Sequence, residues 1–171
     1  MAETTEELVS QESPSSIEHV DPIQIFVGKN YDYYQRKWAL TNTSVSIKSF
    51  NVAAFFLGIV WMIYRKMYLY AAIVTTFLVA DAIIETYYPL PEAAGKALTW
   101  GVYIAFGLLA NLMYKTHVDK KLKDISANFP PEQVNVELAK QGGVNLAGAW
   151  AFGVLLILIV GLAVWAILSE V

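Results

Sequence analysis

Four apolar runs decide what this chain can fold into. Three of them, at residues 67–84, 97–114 and 144–168, have the length of a membrane-spanning helix, for which about 17 to 25 apolar residues are needed. The fourth run, at residues 50–64, reaches only about 22 Å at about 1.5 Å per residue, while the hydrocarbon layer is about 30 Å thick. The sequence therefore predicts three transmembrane helices and one shorter membrane segment.

Composition excludes a soluble enzyme. Of 171 residues, 56% are hydrophobic and 16% charged, and the mean hydropathy is +0.44. An ordinary soluble domain is about 45–50% apolar and about 25% charged, and a chain of this size cannot hide the difference in a core. The net charge of -3 also speaks against a nucleic-acid binder. The absence of cysteine excludes disulfides, thiol catalysis and iron–sulfur clusters.

The distribution of cationic residues predicts the topology. If residues 50–64 cross the membrane, five Lys and Arg residues lie outside and seven inside. If the segment instead re-enters or lies along the interface, only Lys96 is outside and eleven are cytoplasmic. The positive-inside rule favours the second arrangement. We therefore expect an all-α membrane protein with three transmembrane helices, a re-entrant or interfacial helix, a cytoplasmic N-terminus and an outer C-terminus. A four-helix transmembrane bundle in a thinned bilayer is the alternative.

Three regions follow from these patterns. Residues 1–21 are acidic and polar, carry no Lys or Arg, and are predicted to form a disordered tail. Residues 22–49 form an amphipathic segment, and residues 50–171 form the helical membrane domain with a cytoplasmic loop at 115–143. Within the loop, residues 115–125 continue a helical pattern, and a short amphipathic helix lies between Pro130 and Gly142.

The segment 22–49 carries an aromatic stripe with basic neighbours, which is typical of a helix in the headgroup zone. A surface helix that packs on the rest of the protein explains the same spacing equally well. Asn30 is a possible N-cap. The candidate interfacial residues are Tyr31, Tyr34, Arg36, Lys37 and Trp38.

Five polar residues within or beside the apolar runs are candidate functional residues. Asp81 is the acidic residue inside a span, which suggests ion or proton handling, although Glu85 and the outer end of the helix are near. Asn51 and Asn111 favour hydrogen bonding between helices over a substrate contact. Arg65 and Lys66 separate two apolar runs, where they anchor a hairpin at the surface or bind an anionic headgroup.

Small residues at steps of four and eight predict close helix packing, within the chain or against a partner. The candidates are Gly101, Ala105, Ala149, Gly153 and Gly161. No catalytic motif accompanies them, and His117 lacks nearby ligands for a metal. We therefore expect neither an enzyme nor a bound cofactor or metal.

The order of motifs resembles a family of small bacterial membrane proteins, the domain of unknown function 2628. The resemblance covers about residues 24–145, and its most specific part is Tyr64-Arg65-Lys66-Met67-Tyr68. It also rests on Phe26-Val27-Gly28-Lys29-Asn30, Tyr33-Tyr34, Lys37-Trp38, Phe50-Asn51, Ala53-Ala54-Phe55-Phe56, Gly58, Trp61, Asn111, Tyr114, His117, Lys120-Lys121 and Gly142-Gly143-Val144. The chain departs from the family pattern at Val52 and Ile59, where the family has an aromatic residue and a proline. The resemblance implies a bacterial multi-pass inner-membrane protein and assigns no residue a role.

Two functions remain at this stage. The first is a non-catalytic accessory subunit or scaffold that binds a membrane-protein partner, a second copy of itself or anionic lipid through its packing faces and basic cytoplasmic helices. The alternative is a subunit of an oligomeric small-solute or ion transporter or channel, with Asp81, Asn51 and Asn111 along a polar path. Three spans are too few to enclose such a path alone, so this alternative requires oligomerisation.

Overall fold

The computed structural model describes residues 20–40 and 47–169, and in these ranges the chain is helical without strands. The predicted tail therefore lies almost entirely outside the described residues. The eight α-helices are α1 (Pro22–Val27), α2 (Tyr31–Ala39), α3 (Val52–Leu57), α4 (Ile59–Tyr64), α5 (Tyr68–Tyr87), α6 (Glu92–Asn128), α7 (Pro131–Gln141) and α8 (Leu146–Ser169). The predicted all-α class is confirmed.

Three helices are long and apolar enough to cross a membrane, as the sequence predicts. They are α5, α6 and α8, and the apolar part of the range Pro131–Ala166 lies in α8 and not in the polar α7. With 37 residues, α6 is about 55 Å long, so it extends well beyond a hydrocarbon layer about 30 Å thick. Its second half, together with α1, α2 and α7, builds a helical head at one end of the spans.

The short apolar run forms a hairpin that does not cross. Asn51, just before α3, donates its backbone N–H to the Gly107 carbonyl in α6 at 2.8 Å. The Phe55 ring then lies 6.0 Å from that of Tyr103, farther from the head, whereas Arg65 after α4 lies beside Tyr114, nearer to it. The hairpin therefore enters and returns on the same side, which supports the re-entrant arrangement over a fourth crossing.

Gly58 makes the hairpin possible without a proline. It separates α3 from α4 with φ of 44° and ψ of -112°, a conformation that glycine adopts readily and that residues with a Cβ rarely adopt. Each of the two helices has six residues, so neither can span the hydrocarbon layer. Ile59, directly after Gly58, begins α4.

The aromatic stripe of the N-terminal segment packs against α6. Tyr34 and Trp38 are buried, and the Tyr34 ring lies 4.7 Å from that of Tyr114. The structure thus favours the surface-helix alternative for these two residues over insertion into lipid. A 3-10 turn at Gly28–Asn30 interrupts the predicted helical spacing. Asn30 stands at the N-terminus of α2 without a side-chain cap, whereas Asp21 caps α1 by accepting from the Ile23 N–H.

Asn145 fixes the start of α8. Its backbone N–H donates to the Tyr64 carbonyl at 2.8 Å, and its amide Nδ2 donates to the Tyr68 hydroxyl at 2.9 Å. The side-chain oxygen accepts from the Gly148 N–H and so caps the helix. Both α5 and α8 therefore leave the head from neighbouring points, and α6 returns to it.

Candidate functional site: a buried arginine beside an apolar cleft

An apolar cleft of about 970 Å³ lies between α8 and the elements α2, α3 and α4. This volume is at the upper end of the range of ligand pockets, about 300–1,000 Å³. On one wall, α8 contributes Leu146, Ala149, Gly153 and Ile157 among other apolar residues. Arg65 is among the few polar residues of the lining, and we call this space the Arg65 cleft.

Arg65 is buried with only 4% of its surface exposed, although it stands at a helix end where an arginine can usually reach water. Its guanidinium carbon lies 4.6 Å from the ring centroid of Tyr34, 5.2 Å from that of Tyr114 and 5.3 Å from that of Tyr64. Such contacts stabilise a cation through the negative faces of the rings. The three tyrosines therefore hold the side chain in place at the cleft.

The rings do not satisfy the hydrogen-bond donors of Arg65. Its Nε and Nη1 atoms are buried and have no hydrogen-bond partner. The ion pairs of the described residues involve Lys96, Lys115 and Lys140, so no carboxylate in that part of the chain neutralises Arg65. A buried cation without a counter-charge is costly. The site thus carries an uncompensated positive charge at the cleft.

Tyr34 cannot serve as the missing counter-charge. Burial raises the pKa of its hydroxyl above the ordinary value, and the neighbouring Arg65 guanidinium offsets only part of that rise. The phenol therefore stays neutral at physiological pH. The anion that would balance Arg65 has to come from outside the described part of the chain.

Asn51 and Asn111 form a closed network instead of a polar path. The Asn51 Nδ2 donates to the Asn111 Oδ1 at 2.9 Å, and the Asn111 Nδ2 donates to the Ser49 carbonyl at 2.6 Å. The Asn51 Oδ1 accepts from the Ala54 N–H and caps α3, while the Trp38 indole N–H donates to the Asn111 carbonyl at 2.8 Å. Both amides are thereby occupied in joining α2 and α3 to α6, which is the structural role that the sequence favours.

Lys66 joins α7 to the end of the hairpin. Its ammonium donates to the carbonyl oxygens of Lys140 and Gly142, at the C-terminal end of α7, where a cation is favourable. Its backbone has φ of 58°, the left-handed region in which only glycine is unstrained. Of the two adjacent cations, therefore, Lys66 is engaged by backbone carbonyls and Arg65 has open donors.

Asp81 lies apart from these groups. It is half-buried in the outer part of α5, and within the described residues it makes no hydrogen bond to Asn51 or Asn111. The remaining interfacial candidates also have local roles. Tyr31 donates its hydroxyl to Asp21, Arg36 is exposed, and Lys37 donates to the Lys48 and Phe50 carbonyls.

The small-residue candidates differ in their surroundings. Ala149 is buried at the start of α8, and Gly153 lines the cleft. Gly101 and Gly161 have no neighbouring atom within 4 Å of an added Cβ, and Ala105 is exposed. Gly107 in α6 makes a close contact that sequence reasoning missed, because a Cβ there would overlap the Phe50 ring. No sequence pattern predicts the role of Gly107, because the role depends on the tertiary contact with Phe50.

His117 is buried in an aromatic setting. Its ring lies 6.4 Å from that of Tyr114 and 6.0 Å from that of Tyr70. Across residues 20–40 and 47–169, no group of three or more His, Cys, Asp or Glu residues could hold a metal ion. Among the lining residues of the Arg65 cleft, Arg65 has buried donors without a hydrogen-bond partner.

Comparison with known families found a match to one described as a protein of unknown function (DUF2628), over residues 12–120. The matched range includes Arg65, the tyrosines around it and the two asparagines, and it ends before α7 and α8. No curated protein and no solved structure matched the chain. The α8 wall of the cleft therefore lies outside the family match.

Proposed function

We propose that this chain, which belongs to the family of proteins of unknown function DUF2628, is a non-catalytic accessory subunit or scaffold that binds a membrane-protein partner or a second copy of itself. Three candidate membrane spans make it a membrane protein by length and composition. The sequence also suggests anionic lipid as a ligand, which would bind at a surface other than the one that binds the partner. We place the protein in the bacterial inner membrane with the head in the cytoplasm, because eleven of the twelve cationic residues lie in the head or at the end of the spans next to it.

One observation carries the proposal: outside the head, α5 and α8 are hardly packed against the rest of the chain. Only 6% of the apolar window of each of these helices is buried within the chain, against 22% for α6. In a bilayer, small residues on an open helix face allow another helix to approach closely. Gly101, Ala105 and Gly161 stand open in this way. These faces suit a neighbouring transmembrane helix.

The transporter alternative has less support. Its proposed polar path needs Asn51 and Asn111 to face a solute, and both amides are occupied by Ser49, Ala54 and each other. Asp81 stands apart on α5 and does not extend the network. The remaining basis for transport would be an assembly of several chains.

Cysteine cross-linking in native membranes tests the proposal, since the chain has no cysteine of its own. A maleimide–benzophenone reagent attached to Gly101→Cys should, on illumination, insert into a C–H bond of one partner and give a single adduct of defined mass, identified by mass spectrometry. Thr99→Cys, about 200° around the same helix, is the matched control and should give little adduct. If neither variant is cross-linked and the wild-type protein runs as a lone monomer in mild detergent, the scaffold proposal is wrong.

A further inference from the structure

We propose that the Arg65 cleft is a binding site for one anionic phospholipid, with the phosphate at the Arg65 guanidinium and an acyl chain along α8. Nothing in the family match assigns such a site. Gly101, where the proposed partner contact is tested, lies on α6, which contributes no residue to the lining of the cleft, so either proposal can fail while the other stands.

The anionic headgroup follows from the state of Arg65. Arg65 is 4% exposed and lines the cleft, and no ion pair of the described residues involves it. Its Nε and Nη1 atoms are enclosed and unpartnered, so the guanidinium keeps its full positive charge beside the cleft. A charge-assisted hydrogen bond from a guanidinium to a phosphate oxygen is about twice as strong as a neutral one. The Lys37 ammonium also lines the cleft and adds a second positive charge while it donates to two backbone carbonyls. The charge of the cleft therefore complements an anion.

The acyl chain follows from the shape and lining of the cleft. From Leu146 to Ile157, the α8 wall extends about 16 Å at about 1.5 Å per residue. This length is about half of a hydrocarbon layer about 30 Å thick, which is the depth of one lipid leaflet. A free phosphate would leave that apolar space empty, whereas a phospholipid fills both its charged and its apolar part.

The orientation of the cleft agrees with a lipid in its own leaflet. Arg65 lies at the head, just before the first residue of α5, and Asn145 places the start of α8 beside it. The α8 residues of the cleft then run away from the head into the membrane. A phospholipid of the leaflet next to the head thus has its phosphate at the level of Arg65 and its chain parallel to α8.

Native mass spectrometry of the full chain tests this site. The protein is released from nanodiscs that contain equal amounts of phosphatidylglycerol and phosphatidylcholine, and the retained lipid is identified. We expect one phosphatidylglycerol per chain, and a loss of about tenfold or more in its retention for Arg65→Met, because a hydrogen bond to a charged group contributes about 1.5–3 kcal/mol. The other arginine of the chain, the exposed Arg36, supplies the matched control Arg36→Met, which should retain the lipid.

A second pair of variants keeps Arg65 and changes the apolar part. Gly153→Leu places a side chain in the cleft, where the space beside Gly153 is open, and should lower phosphatidylglycerol retention several-fold. Ala163→Leu, at an exposed position of the same helix beyond the lining, should not. This pair decides the question if Arg65→Met does not fold.

Three outcomes would overturn the proposal. The first is equal retention of the two lipids, and the second is unchanged retention in both Arg65→Met and Gly153→Leu. The third is complete displacement of phosphatidylglycerol by millimolar inorganic phosphate, which would mean that the site takes a free anion. Loss of the lipid with an intact Gly101→Cys cross-link would refute this site alone and leave the scaffold proposal in place.

Discussion

At the scale of single residues, the buried amides determine how the N-terminal helices are held. Asn111 accepts from Asn51 and donates to the Ser49 carbonyl, while its own carbonyl accepts from Trp38. Asn111 of α6 thus binds both α2, through Trp38, and the residues just before α3, through Ser49 and Asn51. Because a buried polar group without a partner costs about 1–3 kcal/mol, the network stabilises the head most when it is complete.

Asn111→Ala should lower the free energy of unfolding in detergent by about 1–3 kcal/mol, since it leaves the Asn51 Nδ2 and the Ser49 carbonyl unpaired. Chemical unfolding followed by tryptophan fluorescence measures the change. Asn128→Ala is the control, because Asn128 is exposed and bonds only within its own helix. Equal losses in the two variants would show that the buried network contributes nothing beyond a surface amide.

Gly107 and Gly101 lie on the same helix and should respond differently to the same change. Gly107→Val drives a side chain into the Phe50 ring and should lower stability by about 1–3 kcal/mol, whereas Gly101→Val meets open space. Thermal unfolding of both variants measures this. Adding Phe50→Ala to Gly107→Val should recover part of the loss. Similar melting temperatures for the two single variants would contradict the close approach of α3 to α6.

At the scale of elements, Lys66 is the link between the hairpin and α7. Lys66→Met removes the ammonium from the Lys140 and Gly142 carbonyls. We expect the amides of α7 to exchange roughly tenfold faster, since a lost charged hydrogen bond of about 1.5 kcal/mol favours local opening. Hydrogen exchange read by mass spectrometry measures this change in peptides of residues 131–143.

Lys140→Met is the control for that experiment, because its ammonium is exposed and pairs with Glu137 within α7. Lys66→Gly distinguishes the effect of the ammonium from that of the backbone conformation. It relieves the strain of the left-handed φ of 58° and also removes the ammonium. If the α7 amides exchange as slowly in Lys66→Gly as in the wild-type protein, the hydrogen bonds of the Lys66 ammonium do not stabilise α7.

The elements also show how far sequence reasoning reaches. Hydropathy and length predict α5, α6 and α8, because a membrane span is a property of one continuous segment. Charge counting favours the hairpin over a fourth crossing, since the choice depends on a sum over loops. The pairing of Asn51 with Asn111, 60 residues apart, and the burial of Arg65 among three tyrosines depend on tertiary contacts. No local pattern at these positions predicts them.

At the scale of the whole molecule, the fold separates a charged head from nearly bare spans. The head combines α1, α2, α7 and the second half of α6 around a common core, and the Gly143 N–H donates to the Phe26 carbonyl at 2.7 Å across it. Phe26 and Gly143, from the first and the last third of the chain, thereby lie at the same end of the spans. The turn between α5 and α6 lies at their other end.

This arrangement predicts which positions share a compartment. Lys29→Cys and Lys120→Cys, both exposed in the head, should react with a membrane-impermeant maleimide only from one side of the membrane. Leu90→Cys, in the exposed turn before α6, should react only from the opposite side. Labelling intact and permeabilised cells measures both.

The same labelling tests the fold and the orientation in the membrane separately. Shared sidedness of Lys29→Cys and Lys120→Cys depends on the contacts of α1 and α2 with α6, whereas the cytoplasmic location of the head depends on the eleven cations at that end of the spans. Labelling of both head positions from outside would therefore reverse the orientation and leave the fold intact. Labelling from opposite sides would mean that residues 50–64 cross the membrane, and with that the hairpin, the head and the Arg65 cleft would all be wrong.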